Sequence, residues 1–177
     1  MKTSDLELIR YVRKLKNVHR CAGTRLTRPY TLDSHGAQVA ELFYLAAVEE
    51  GIPLTARMMY MAMNHDLMET MTGDLLYPVK NASAESAAAW NVVEREVARI
   101  YGLEAFTDEK LEKALGPEAY DLFKACDMLE LYFTVREEIA SGNTNEGIQE
   151  IEQNAVDALM KHRDRFPAIK RLMALSE

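Results

Sequence analysis

Cysteine, proline and glycine are scarce, and each scarcity removes a class of structure. The two cysteines, Cys21 and Cys126, are too few for a disulfide framework and sit in no spaced metal motif, so they read as reduced thiols of a cytoplasmic protein. Five prolines and eight glycines in 177 residues leave little material for the turns of an all-β fold, and β-branched clusters alternating with period two are missing as well. No stretch reaches the ~18–20 uninterrupted apolar residues of a membrane span. The start, Met1-Lys2-Thr3-Ser4-Asp5, lacks the apolar run of a signal peptide. Positive charge is also short, with 21 Lys and Arg against 28 Asp and Glu and a net charge of -7. That balance speaks against a polymeric nucleic-acid partner, whose phosphates select basic surfaces. A small phosphorylated ligand is compatible with it, because Arg13, Lys14, Lys16, Arg20, Arg25 and Arg28 make the N-terminal quarter locally basic. No P-loop, dinucleotide glycine fingerprint or G-x-S-x-G elbow is present.

What the chain does have is helical periodicity over nearly its whole length, which predicts one all-α domain spanning residues 1–177. Ser4 and Glu7 fit a capping box before a first helix with Leu6, Ile9, Val12 and Leu15 on one face, running to about Val18. Residues 19–33 read as an irregular loop, longer than most connections and therefore a candidate functional loop. Asp33 or Ser34 can cap a second helix ending near Gly51, and Thr55 a third, filled with methionines, over about 56–71. Further helices are expected over about 83–101, 108–115, 117–140 and 145–163, with a short one after Pro167. Trp90, Val93, Val97 and Ile100 should form a buried stripe on the fourth.

Within the third helix lies Asn64-His65-Asp66-Leu67-Met68-Glu69, followed at once by Thr72-Gly73-Asp74. Charges placed among methionines need partners or a metal, since burying them alone costs several kcal/mol or more. On a helical wheel His65, Asp66 and Glu69 share a sector with Met58 and Ala62, which speaks against a purely solvated face. His35 before this run and Asp127 after it, the latter between Cys126 and Met128, are plausible further ligands. Imidazole and carboxylate donors suit one divalent transition metal, Co²⁺, Mn²⁺, Zn²⁺, Fe²⁺ or Ni²⁺, without choosing among them. Glu130, one turn past Asp127, reads as a partner for a neighbouring helix or as a support for a metal ligand. Tyr30 and Tyr77 are either packed loop residues or platforms for a base.

His35, then His65-Asp66, then Asp127 resembles the H…HD…D signature of HD-domain metal-dependent phosphohydrolases. The run His65-Asp66-x-x-Glu69, Thr72-Gly73-Asp74-Leu75 and Pro78-Val79-Lys80 is similar to the HDxxE…TGDL…PVK pattern of the bacterial 5′-deoxynucleotidases, and Arg20 stands where their substrate-loop arginine does. The compact size also resembles phage-encoded members, for which the location would be the host cytoplasm. The resemblance implies a compact helical bundle with the metal between central helices, held by His35, His65, Asp66 and Asp127. It implies that Glu69 and Asp74 serve catalysis, and that Arg20, Cys21, Lys80 and Asp74 meet the substrate. Cys21 replaces a tryptophan usual in these enzymes, and Ser34 and Gly36 flank His35 where Glu and Ser are common; strict 2′-deoxy preference is therefore not implied.

The function expected is removal of the 5′-phosphate from (deoxy)nucleoside monophosphates by metal-activated water. The alternatives are a deoxynucleoside triphosphate triphosphohydrolase, with Arg25, Arg28 and Lys80 serving the outer phosphates, and a nucleotide- or metal-sensing module without turnover. The expected partners are a small nucleotide and a second copy of the chain, with Tyr132, Phe133 and Val135 offering apolar surface for a homodimer or higher homo-oligomer. No membrane partner is expected.

Overall fold

Where apolar residues recur at helical spacing the chain forms helices, and among the described residues of the computed structural model (5–75, 77–80 and 82–176) there is no strand beyond one isolated bridge, His19 to Thr31. The centre is the long helix α8 (Pro117–Ala140), opened by a proline whose missing N–H costs nothing at that position. It lies between α2 (Leu32–Glu50) and α9 (Glu146–Arg163), with α7 (Asp108–Leu115) and α10 (Pro167–Met173) closing the bundle. Phe43, Leu122, Phe123, Leu129, Leu159 and Ile169 are fully buried there. Side chains of this kind contribute about 1.5–3 kcal/mol each on burial. A second apolar cluster, with Leu15, Leu32, Leu67, Leu103 and Phe106, fills the space beneath the start of α2.

Several expected boundaries shift for local reasons. The first helix is short, α1 (Asp5–Val12), and a 3₁₀ turn over Leu15–Asn17 replaces its expected end; Ser4 lies outside the described residues. Helix α2 is capped by Thr31, one turn ahead of its partner Ser34, and ends at Gly51 in the left-handed region that glycine tolerates. The methionine-rich α3 (Ala56–Met63) has the expected Thr55 cap, whose hydroxyl accepts the Met58 N–H. It stops at Met63 instead of running to about 71. Tight turns carry the chain through 64–68, with Leu67 N–H donating to Asn64 O at 3.1 Å and Glu69 N–H to Asp66 O at 2.9 Å, before the single turn α4 (Glu69–Thr72). The cause is side-chain competition. Asn64 Nδ2 donates to Tyr60 O at 2.8 Å and His65 Nδ1 to Ala62 O at 2.8 Å, occupying carbonyls that a continuing helix would use.

Two expectations about burial are overturned. The stripe on α6 (Ala84–Tyr101) is only partly covered: Trp90 and Val97 are half-buried, but Val93 is 42% and Ile100 60% exposed, because this helix leans mainly on the one-turn α5 (Tyr77–Lys80) and the 3₁₀ turn over Glu104–Phe106. Tyr132 and Val135 are core residues, not docking surface, since α8 is flanked by helices along this stretch. No helix among the described residues is long and apolar enough to cross a membrane.

Candidate active site

The break after α3 points four donor groups at one place. Helix α2 contributes His35, the turn 64–68 contributes His65 and Asp66, and α8 contributes Asp127. His35 Nε2 lies 3.1 Å from Asp127 Oδ1 and 3.6 Å from Asp66 Oδ2, while His65 Nε2 lies 3.2 Å from Asp66 Oδ2 and 3.7 Å from Asp127 Oδ1. Yet His35 Nε2, His65 Nε2 and Asp127 Oδ1 are buried and make no hydrogen bond. Buried polar atoms are rarely left so, and the orphans here converge on a common point instead of on one another. Metal bonds of about 2.0–2.2 Å would set neighbouring donors roughly 3.0–3.5 Å apart, so the spacing fits one cation. His35, His65 and Asp127 form a group able to hold such an ion, and Asp66 Oδ2 adds a fourth donor to it.

Each imidazole has a polar partner at its other nitrogen, Nδ1. His65 Nδ1 faces the Ala62 carbonyl, whereas His35 Nδ1 faces Glu130 Oε2 at 2.5 Å. Glu130 Oε2 also accepts from the Tyr30 hydroxyl, and its Oε1 from Thr134 Oγ1 at 3.1 Å. The outer oxygen of Asp127 accepts from Lys124 Nζ at 3.1 Å. Phe123 backs the His65 ring edge-on, with centroids 5.1 Å apart.

Electrostatics follow from this crowding. Burial alone would raise the Asp66 and Asp127 carboxyls, but His65 with Arg20, and Lys124 with the two imidazoles, hold both well below the usual range. Burial would lower His65, but Asp66 and Asp127 raise it to about 10, so a cation entering must displace a proton. Glu69 is pushed up to about 9 by burial and then by the Asp66 charge, and its Oε2 is buried without a hydrogen-bond partner.

The loop 19–31 brings Arg20 over the cluster. Its ends are pinned together, Arg20 N–H to Tyr30 O at 2.9 Å and Leu32 N–H to Val18 O at 3.0 Å. Arg20 Nη1 contacts Asp66 Oδ2 at 2.6 Å and the guanidinium lies 5.8 Å from the Tyr30 ring centroid, leaving Nε buried without a partner. Asp74 Oδ2 accepts the Cys21 amide at 2.9 Å, and Cys21 is the one described non-glycine residue with positive φ, 54°. Burial pushes the Cys21 thiol up to about 11, the wrong direction for a thiolate nucleophile. The loop's far side is held by Glu138 on α8, which accepts both the Thr27 N–H and the Thr27 hydroxyl at 2.8 Å. The loop itself forms a cavity of about 340 Å³, lined by Arg20, Cys21, Thr24, Thr27 and Tyr30 among others.

Thus Arg20 and Glu69 join the four donors, and Asp74 reaches the site by holding the Arg20–Cys21 backbone. Lys80 does not join them: its Nζ pairs with Glu94 Oε1 on α6 at 2.8 Å. Tyr30 is 6% exposed with its hydroxyl turned to Glu130, so it is packed and is no platform for a base. The Tyr77 side chain lies outside the described residues. The neighbouring helix that Glu130 meets is α2, and its partner there is His35. Lys124 and Glu138 went unnoticed; a lysine three residues before a buried aspartate was the signal for the first.

The model of the family described as 5′-deoxynucleotidase YfbR-like matches residues 7–174. The 5′-deoxynucleotidase YfbR of Shigella flexneri is 30% identical over 146 residues, covering 75% of this chain and 73% of the relative. The 5′-deoxynucleotidase of Cronobacter sakazakii is 28% identical over 154 residues, covering 79% and 76%. Among solved structures, an HD-domain phosphohydrolase of Listeria innocua superposes with TM-score 0.76 at 20% identity, over 96% of this chain and 85% of that one. The cyanophage S-2L HD phosphohydrolase, bound to dA and one catalytic Zn²⁺ ion, superposes with TM-score 0.69 at 19% identity, over 99% and 96%. With residues 7–174 matched, this protein belongs to the 5′-deoxynucleotidase YfbR-like family.

Proposed function

We propose that the protein is a metal-dependent phosphohydrolase that removes the 5′-phosphate from (deoxy)nucleoside monophosphates. The observation that carries this reading is the convergence of orphaned donor atoms from His35, His65 and Asp127 beside Asp66, with Arg20 and Glu69 at their edge. The deoxynucleotidase relatives and the dA- and Zn²⁺-bound neighbour support it. A divalent ion held there, Zn²⁺ being one candidate, would polarise a phosphoryl oxygen and acidify water.

The chain's own residues do the rest. Arg20 receives the phosphate through its unpaired Nε, neutralising charge that grows on the phosphoryl oxygens. Glu69, whose carboxyl burial keeps protonated up to about pH 9, gives its proton to the 5′-oxygen as the bond from phosphorus to that oxygen breaks. The attacking water forms the new O–P bond and returns a proton to Glu69, and the nucleoside leaves as its 5′-hydroxyl. Asp74 keeps the Cys21 amide, and with it Arg20, in place. Cys21 stands where the family resemblance calls for a tryptophan, and without that flat wall deoxy and ribo substrates are discriminated weakly.

The triphosphate alternative needs cations for the outer phosphates. Of Arg25, Arg28 and Lys80, two are engaged elsewhere, Arg28 lying 3.7 Å from Glu137 and donating to Ser141 and Lys80 bound to Glu94, which favours the monophosphate. A sensor without turnover gains nothing from a buried unpartnered Glu69 beside an anion. Chromatography of products from dAMP and dATP with Mn²⁺, Co²⁺ or Zn²⁺ decides. Deoxyadenosine and phosphate from dAMP support the proposal; tripolyphosphate from dATP, or binding without release of phosphate, overturns it. The chain acts as one domain and as a homodimer in this reading, using apolar side chains exposed on α1 and α6 such as Ile9 and Ile100; a monomer by light scattering refutes the dimer.

A further inference from the structure

Glu130 and Tyr30 belong to no part of the chemistry above, yet they form the most buried polar cluster beside it. Glu130 is 1% exposed, Tyr30 6% and His35 0%. One Glu130 oxygen faces His35 Nδ1 and the Tyr30 hydroxyl, the other Thr134 Oγ1. A buried carboxylate is expensive unless its oxygens are occupied, and here three donors occupy them. Tyr30 is also part of the substrate loop: its carbonyl accepts the Arg20 amide and its ring lies against the Arg20 guanidinium.

We propose that Glu130, held by Tyr30, is a positioning residue that fixes His35 with its proton on Nδ1, so that Nε2 faces the donor cluster, and that Tyr30 ties this ligand to the loop carrying Arg20. The two histidines are then unequal by construction. His65 is oriented by a neutral carbonyl and His35 by a carboxylate, which makes His35 the stronger donor. The metal-affinity half of this rests on the donor cluster being a metal site; the tautomer half does not.

The test uses Glu130→Gln, which is nearly the same size, and Tyr30→Phe, which removes only the hydroxyl. Histidine ring ¹⁵N–¹H correlation spectra of the metal-free protein read each tautomer, and Zn²⁺ titration against a chromogenic chelator reads affinity. Wild type shows His35 protonated on Nδ1. Glu130→Gln shifts His35 toward a tautomer mixture while leaving His65 unchanged, and weakens Zn²⁺ binding about 10–100-fold, the usual loss when a ligand's supporting partner is removed. Tyr30→Phe shifts both in the same direction by less. A Glu130→Gln protein that melts lower but keeps the His35 tautomer and binds Zn²⁺ within twofold of wild type overturns the proposal, as the cluster is then merely structural. If wild type binds no Zn²⁺, the metal site falls, and the His35 tautomer in Glu130→Gln still decides the positioning role. If Glu130→Gln fails to fold, Tyr30→Phe decides on the same two readings.

Discussion

Gly36 follows the ligand His35 on α2 and faces the last residue of α3, two positions before His65. A Cβ at this position would lie inside the packing shell of the Met63 carbonyl oxygen and 3.2 Å from its carbonyl carbon. Both obstacles are backbone, so no rotamer change relieves them. Restoring ordinary carbon–oxygen packing requires α2 and the end of α3 to separate by roughly 1 Å. Two effects of Gly36→Ala therefore oppose each other. Helix propensity alone would stabilise by roughly 0.5–1 kcal/mol, while overpacking costs about 1–3 kcal/mol and wins. For a chain of this length a net loss of ~1–2 kcal/mol lowers Tm by roughly 2–8 °C. The same shift pulls His35 from Asp66, whose Oδ2 now sits 3.6 Å from His35 Nε2, and misplacement of about 1 Å commonly costs 10²-fold in function. Calorimetric melting and Zn²⁺ titration of Gly36→Ala check both. A variant as stable as wild type with unchanged Zn²⁺ affinity refutes the claim that this close approach holds the two ligand-bearing segments together.

Glu69→Gln should keep metal content by elemental analysis and lose at least 10²-fold in kcat, the usual scale of general acid–base catalysis. Asp74→Asn releases the Cys21 amide from a charged acceptor and should raise KM for dAMP several-fold with a smaller change in kcat, read by phosphate release under saturating metal. Lys80→Met should leave kcat/KM within about threefold, because Lys80 serves Glu94; a loss of 10²-fold, about 2.7 kcal/mol of transition-state stabilisation, would place it on the phosphate after all.

The helical class was legible from periodicity and caps, and the run His65-Asp66 stood out as charge among apolar neighbours; His35 and Asp127 were weak signals alone and joined the set only through the family resemblance, and the structure brings all four side chains together. The break after Met63 was not legible, since 55–72 contains no glycine or proline and its methionines keep helical spacing. What ends the helix is Asn64 and His65 bonding back to carbonyls at Tyr60 and Ala62, a competition that composition does not reveal. The wheel that grouped His65, Asp66 and Glu69 therefore assumed one continuous helix, whereas His65 and Asp66 lie in the turns of 64–68 and Glu69 opens α4. Burial of Tyr132 and exposure of Ile100 were unreadable for a related reason: an amphipathic stripe says that a face is apolar, while topology decides what covers it. Lys80 shows the same limit for charge, because a lysine near a motif is steered by whichever carboxylate lies nearer in space.

The central claim is that phosphate release requires one divalent ion held by His35, His65, Asp66 and Asp127. Chelator-stripped protein titrated with Mn²⁺, while ion binding and phosphate release from dAMP are followed together, tests it most directly. The account predicts no turnover without metal, activity saturating at one ion per chain, and loss of both binding and turnover in His65→Ala. Phosphate release by metal-free His65→Ala protein at the wild-type rate would contradict it.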